Sequence, residues 1–122
     1  MPWQFNRTEA VFIQIEKRLK SDILSGKYPP DSQFPSVRQL AAEAAVNPNT
    51  MQKSLSLLEE GGLLCSRGTL GRFVTGDGEI LRAKKDEMRR EVIKSLLSQA
   101  HSLGISGREL IEYIEKEESG NG

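Results

Sequence analysis

Residues 34–75 read FPSVRQLAAEAAVNPNTMQKSLSLLEEGGLLCSRGTLGRFVT, and two helix starts stand out in them. Ser36 is followed three residues later by Gln39, the spacing of a capping box, in which the serine oxygen accepts an orphan backbone N–H and the glutamine returns the bond. Val37, Leu40, Ala41 and Ala44 then recur at helical spacing and form one short apolar face. The second start is Asn47-Pro48: asparagine favours the N-cap, and proline at the first helical position gives up an N–H that would be unpaired in any case. Met51, Leu55 and Leu58 continue on one stripe until Gly61-Gly62 ends the helix.

About three residues, Ala45-Val46-Asn47, separate the two helices, the length of a helix-turn-helix turn. Ala41, Ala45 and Met51 fall where such a motif favours a small residue, a glycine and an aliphatic residue. If Ala45 takes a positive φ, its Cβ costs about 1 kcal/mol. After the second helix, Leu63–Ser66 reads as a short strand, Arg67-Gly68-Thr69-Leu70-Gly71 as a turn and Arg72–Thr75 as the return strand. Helix, turn, helix and ribbon in this order predict a winged helix-turn-helix, an architecture that can lay its second helix in the major groove of DNA.

Working outward, residues 8–25 carry Phe12, Ile15, Leu19 and Ile23 on one helical face, and Gly26 is placed to end that helix. Tyr28–Gln33 is a proline-containing connector that lets the helix fold back over the motif. Trp3 and Phe5, alternating with polar residues in MPWQFNR, are expected to pack as an arm against the body. Beyond the junction Gly76-Asp77-Gly78, Glu79–Leu103 reads as one long helix with Leu81, Met88, Val92, Leu96 and Ala100 on a stripe. Gly104 stops it. Ser106 and Glu109 form a second capping box, Ile105 and Leu110 are spaced as a hydrophobic staple, and Leu110, Ile111 and Ile114 supply the last helix's apolar face. Ser119–Gly122 is expected to fray. The predicted fold class is mainly α with a small β wing. Its winged domain spans 1–76 (helices 8–25, 36–44 and 47–60, wing 63–75) and a helical dimerisation region spans 77–122.

The chain's 122 residues suffice for one compact domain with a small appendage, and the 37% hydrophobic and 28% charged shares suit a soluble globular protein. No apolar run reaches a membrane-spanning length and no signal-peptide pattern opens the chain, so a cytoplasmic location and no membrane partner are expected. The net charge is zero. Residues 1–75 hold nine Lys and Arg against seven acids, a surplus of two. Any nucleic-acid contact then depends on where charges stand more than on how many there are. The C-terminal region, about 40 residues, is too small to enclose a core or ligand cavity. Its apolar stripes are best covered by a second copy of the chain, through Leu81, Met88, Val92, Leu96, Leu110 and Ile114.

Nothing in the sequence suggests catalysis, a cofactor or a metal. The lone Cys65 lies in the first wing strand and reads as a packing residue. His101 has no Ser or Cys constellation beside it, and Asp77, Glu79, Asp86 and Glu87 match no calcium loop. The glycines form no phosphate-loop or dinucleotide pattern.

FIQIEKRLKSDILSGKYPPDSQFPSVRQLA, NPNT and LLEEGGLLCSRGTLGRFVT, in this order and spacing over Phe12–Thr75, resemble the DNA-binding domain of GntR-family bacterial transcription regulators. The short helical pair after the wing is similar to that of the YtrA-like subgroup. The resemblance implies a homodimeric repressor of a double-stranded DNA operator, with the C-terminal helices serving dimerisation. Members usually sense small molecules through the domain after the wing, which is nearly absent here, so a small-molecule effector is left open.

The expected DNA contacts combine both lines of reasoning. Ser36 begins a helix whose free N–H groups and dipole favour a phosphate, and Arg38 adds charge there at a position that, by the resemblance, contacts DNA. Asn49 and Gln52, three apart, share a face and can each pair with adenine, while Thr50 and Lys53 beside them suit phosphates. Many family members have arginine where Pro48 and Gln52 stand, and the absence of those arginines weakens the case for guanine-directed contacts from this helix. In the wing, Arg67 and Arg72 flank Gly68, Thr69 and Gly71, where glycines allow close approach to phosphate and arginines suit a narrow minor groove. Arg72 replaces the threonine of the family's Thr-Phe-Val pattern. A second reading from another class, a winged-helix protein-interaction module without DNA, is favoured by the neutral charge.

Overall fold

The computed structural model describes residues 2–120. Its elements are α1 (Val11–Leu24), α2 (Val37–Ala44), α3 (Pro48–Glu60), β1 (Leu64–Ser66), β2 (Arg72–Val74), α4 (Gly78–Ser102) and α5 (Gly107–Gly120). β1 and β2 pair antiparallel, with Cys65 opposite Phe73. A single 3-10 turn, Gly68–Leu70, shapes the loop between them.

Local chemistry sets the helix ends. Ser36 Oγ accepts the Gln39 N–H and Gln39 Oε1 accepts the Ser36 N–H, completing the first capping box. Asn47 Oδ1 accepts the Asn49 N–H at 2.7 Å, with Pro48 at the first position of α3. Ala45 closes α2 at φ 59° and ψ 49°, a left-handed conformation in which a Cβ is strained.

α1 begins at Val11, three residues later than periodicity suggests. The Gln14 side chain bonds the Asn6 N–H and the Asn6 and Glu9 carbonyls, and Asn6 Oδ1 accepts from Thr8. These bonds hold residues 6–9 as a turn outside the helix. Trp3 is buried in the core, with the Arg18 guanidinium 3.9 Å from its ring centre.

The connector before α2 is more than a turn. Asp31 and Phe34 donate backbone N–H groups to Val74 and Arg72, and Val74 donates to Ser32, so residues 31–34 lie along β2 as a third strand-like edge. At its start Asp31 takes φ 65°. Gly76 lies against the Asp31 carboxylate, where a Cβ would overlap it.

Two compact units divide the chain, Met1–Lys84 and Lys85–Gly122. In the first, Ile15, Leu19 and Ile23 of α1 pack with Leu40, Ala41 and Ala44 of α2, Met51, Leu55 and Leu58 of α3, and Leu63, Leu64 and Val74 of the wing. Ile80 and Leu81 pack against this core, and the first unit runs on to Lys84, past the junction at residues 76–78. Leu81, also expected at a dimer interface, is half-buried against this core.

In the second unit, Ser106 and Glu109 exchange both capping bonds, and Gly104 at φ 76° turns the chain between α4 and α5. Ala100 is buried, and Leu96, Leu97, Ile105 and Leu110 are half-buried. Ser119 and Gly120, expected to fray, remain in α5, where Ser119 Oγ donates to the Glu115 carbonyl; residues 121–122 lie outside the described residues.

The Ala45 conformation yields a test. Relieving the left-handed strain, less the entropy that glycine loses on folding, should make Ala45→Gly up to about 0.5 kcal/mol more stable, and β-branched Ala45→Val should shift in the opposite direction. Urea midpoints at unchanged slope measure both; a less stable glycine variant would contradict the strain.

Candidate nucleic-acid interface

Three pieces of the first unit frame the candidate surface: the start of α2, the exposed face of α3 and the wing. Burial of Met51, Ser54, Leu55 and Leu58 turns Asn49, Gln52 and Lys53 outward, while Thr50 is half-buried. Ser54 Oγ donates to the Phe12 carbonyl at 2.8 Å, which fixes the roll of α3 against α1. Lys53 Nζ stands 3.9 Å from the centre of the Phe12 ring, its charge on an aromatic face with no carboxylate beside it among the described ion pairs.

A groove of about 680 Å³ separates the α2 start from the wing, lined by Gln33, Ser36, Gln39, Gly68, Gly71 and Arg72 among others. The capping box occupies the Ser36 Oγ and the Gln39 N–H. The helix dipole and N–H groups of the first turn not spent on that box remain to favour an anion. Arg38 is exposed on the first turn of α2. In the loop, Gly68 and Gly71 take φ 55° and 97°, conformations suited to glycine, and Thr69 is exposed.

The wing arginines do not project freely. Arg67 Nη2 lies 3.2 Å from Asp31 Oδ1, with its guanidinium 4.4 Å from the Phe73 ring centre. Arg72 Nε donates to Glu59 Oε1 at 2.9 Å, and Ser66 Oγ lies within hydrogen-bond reach of both Glu59 oxygens. Glu59 is therefore held below its ordinary carboxylate value, first by the Arg72 hydrogen bond; partial burial opposes the shift and the Ser66 bond adds to it. Leu70, 65% exposed, tips the wing, and the Gln33 amide donates to its carbonyl at 2.7 Å.

Sequence reading missed Asp31, Gln33 and Glu59 as parts of this site. Glu59 had a signal: seven residues beyond Gln52, with Ser56 between them, it falls on the same helical stripe, and Gln52 Nε2 donates to Ser56 Oγ at 3.3 Å. Asp31 and Gln33 had none, because their partners lie 36 and 37 residues away. Cys65, half-buried, donates to the Phe73 carbonyl across the ribbon, and His101 is exposed on α4. Among the described residues no cluster of side chains could hold a metal ion, and no helix is long and apolar enough to cross a membrane.

Residues 13–74 match the family described as "Bacterial regulatory proteins, gntR family". The HTH-type transcriptional repressor YtrA of Bacillus subtilis is 30% identical over 107 residues, covering 87% of this chain and 82% of that protein. A GntR family transcriptional regulator from Listeria monocytogenes superposes with a TM-score of 0.86 at 25% identity, over 92% of this chain and 98% of the other. The DNA-binding domain of AraR in complex with operator ORX1 superposes with a TM-score of 0.53 at 27% identity, over 59% of this chain and 93% of that one.

The Glu59–Arg72 pair has a signed pH dependence. A carboxyl whose folded value is depressed contributes stability above its ordinary value of 4.5 and loses it as pH falls through the folded value. Wild type should exceed Glu59→Gln by about 0.2–1 kcal/mol near neutral pH, as exposed pairs do. The difference should fade as pH drops below 4.5. Urea titrations of both proteins on either side of that value give the comparison, and a gap that survives strong acid would refute the pairing.

Proposed function

The chain belongs to the gntR family of bacterial regulatory proteins and is a DNA-binding transcription regulator, and from that premise we propose that it acts in the bacterial cytoplasm as a homodimeric repressor of a pseudo-palindromic operator. The observation that supports this reading is the groove lined by the α2 start and the wing, taken together with the outward face of α3 that carries Asn49 and Gln52. In the proposed complex α3 enters the major groove. Asn49 and Gln52 pair with adenine edges, and each good bidentate pair is worth about 1–3 kcal/mol of discrimination. Ser36, Arg38, Thr50 and Lys53 meet phosphates and set the register. Arg67, Gly68, Thr69 and Arg72 carry the wing along the backbone or the minor groove. The AraR operator complexes support the general mode through a shared fold.

Dimerisation is inferred from apolar surface without cover in the second unit. Val92 is 62% exposed, and Ile93, Ile111, Tyr113 and Ile114 are also exposed. Met88, Val92 and Leu96 flank a shallow apolar groove along α4. Half-buried Leu110 stands on α5 with Ile114. Two copies joined through these helices would match the two-fold symmetry of an inverted repeat and set its half-site spacing. The repressor role follows YtrA by likeness. A small-molecule effector would bind outside α4 and α5, because about 40 residues are too few to enclose a ligand cavity.

Selection of genomic fragments by the purified protein, followed by titration of the best fragment over a salt series, should return one inverted-repeat motif bound by two chains. Gln52→Ala and Asn49→Ala should lower discrimination at particular base pairs, whereas Arg38→Ala should weaken operator and mixed-sequence DNA alike and flatten the salt slope by about 0.9. Val92→Glu with Ile114→Glu should convert a sedimenting dimer to monomer and abolish two-chain binding. Folded protein without sequence preference would overturn the operator reading.

A further inference from the structure

The wing carries two arginines, and both are paired with carboxylates from elsewhere in the chain. Arg67 is paired with Asp31 and Arg72 with Glu59. Neither carboxylate belongs to the wing ribbon: Asp31 sits in the connector before α2 and Glu59 at the end of α3. Each is brought to its arginine by the fold. Residues 1–75 have a surplus of only two cations, so two cations masked at the wing matter on the scale of the whole surplus. Binding to any duplex, whatever its sequence, is driven by cations that displace counterions from phosphate. A cation held by a carboxylate displaces none until it exchanges partners.

We propose that Asp31 and Glu59 are restraint residues, which hold Arg67 and Arg72 away from phosphate and so keep the protein's backbone affinity for DNA low. The inference rests on the proposed contact between the wing and DNA. Glu59 is well placed for this. It lies on the helical stripe that carries Gln52 and Ser56, so its charge faces the surface offered to DNA, and its position is set by Ser66 as well as Arg72. Asp31 is placed by its backbone, through its own N–H to the Val74 carbonyl and a positive φ. Both pairs are partly exposed, with side-chain exposures of 43% and 67% for Arg67 and Asp31, and 19% and 36% for Arg72 and Glu59. Solvent-screened pairs of this kind are weak enough to trade a carboxylate for a phosphate.

The test uses the full-length protein and two labelled duplexes, the selected operator and a mixed-sequence DNA, each titrated over a salt series. Glu59→Gln and Asp31→Asn should each raise affinity for mixed-sequence DNA about two- to fivefold at low salt, the range of an exposed pair. Each should also steepen the salt dependence by up to about 0.9 per arginine released. Asparagine tolerates the positive φ at residue 31, so the second variant keeps the backbone, and thermal melts confirm that both fold. A gain that disappears when Arg72→Gln accompanies Glu59→Gln identifies release of that arginine as the cause. A gain that persists in the double variant would instead mark plain charge repulsion and overturn the inference, as would unchanged or weaker binding by the single variants. If wild type binds the operator in that case, only the restraint fails; if wild type binds no operator, the functional reading fails with it.

Discussion

Burial of one face of α3 is the constraint on which the rest of the first unit depends. Met51, Leu55 and Leu58 are fully enclosed, and Ser54 spends its hydroxyl on the Phe12 and Thr50 carbonyls. With 3.6 residues per turn, that choice leaves Asn49, Gln52, Lys53 and Ser56 no position except the opposite side. A hydroxyl among apolar side chains is acceptable only where it finds an acceptor. Of the two it finds, the nearer belongs to Phe12 of α1, so the same atom that satisfies the core also ties α3 to α1. The polar surface of α3 is therefore a consequence of packing before it is a recognition surface.

What could be read in advance was what local chemistry decides. Ser36 with Gln39, Asn47 with Pro48, and Ser106 with Glu109 are contacts across two or three residues, and each helix begins where its cap places it. Ala45 was legible for the same reason, since a turn of that length needs a left-handed residue whichever side chain it carries. The late start of α1 escaped because Gln14 reaches back eight residues to Asn6, beyond any cap rule. The third edge beside β2 escaped because strand partners are chosen by tertiary packing, and Tyr28–Gln33 looks like a connector by composition. The ten residues expected at DNA were legible as types on elements. The partners of Arg67 and Arg72 were not.

α4 shows the limit of periodicity in another way. Its stripe runs unbroken in sequence from Leu81 to Ala100, yet Leu81 is covered by the winged core while Val92 is uncovered within its own unit. Spacing identifies a face and is silent on what lies against it. The charge balance is similar: a net of zero describes a total, whereas Lys53 over an aromatic ring and Arg72 on a carboxylate are cations in different electrostatic states.

The wing joins these threads. Two three-residue strands make a ribbon that is marginal alone, since an isolated hairpin of any length is barely stable in water. Its shape is maintained from outside, by the Gln33 amide on the Leu70 carbonyl, by Asp31 on Arg67 and by Glu59 on Arg72 and Ser66. An apolar brace could do this mechanical work at least as well, because ion pairs are seldom more stabilising than good packing. Polar braces differ in what they permit. A guanidinium on an exposed carboxylate can turn to another anion without leaving a buried charge behind, so the contact that shapes the wing is an exchangeable one. Arginine at position 72, where the family pattern carries threonine, makes sense in those terms: with Glu59 beside it, the residue adds a brace and a latent cation together.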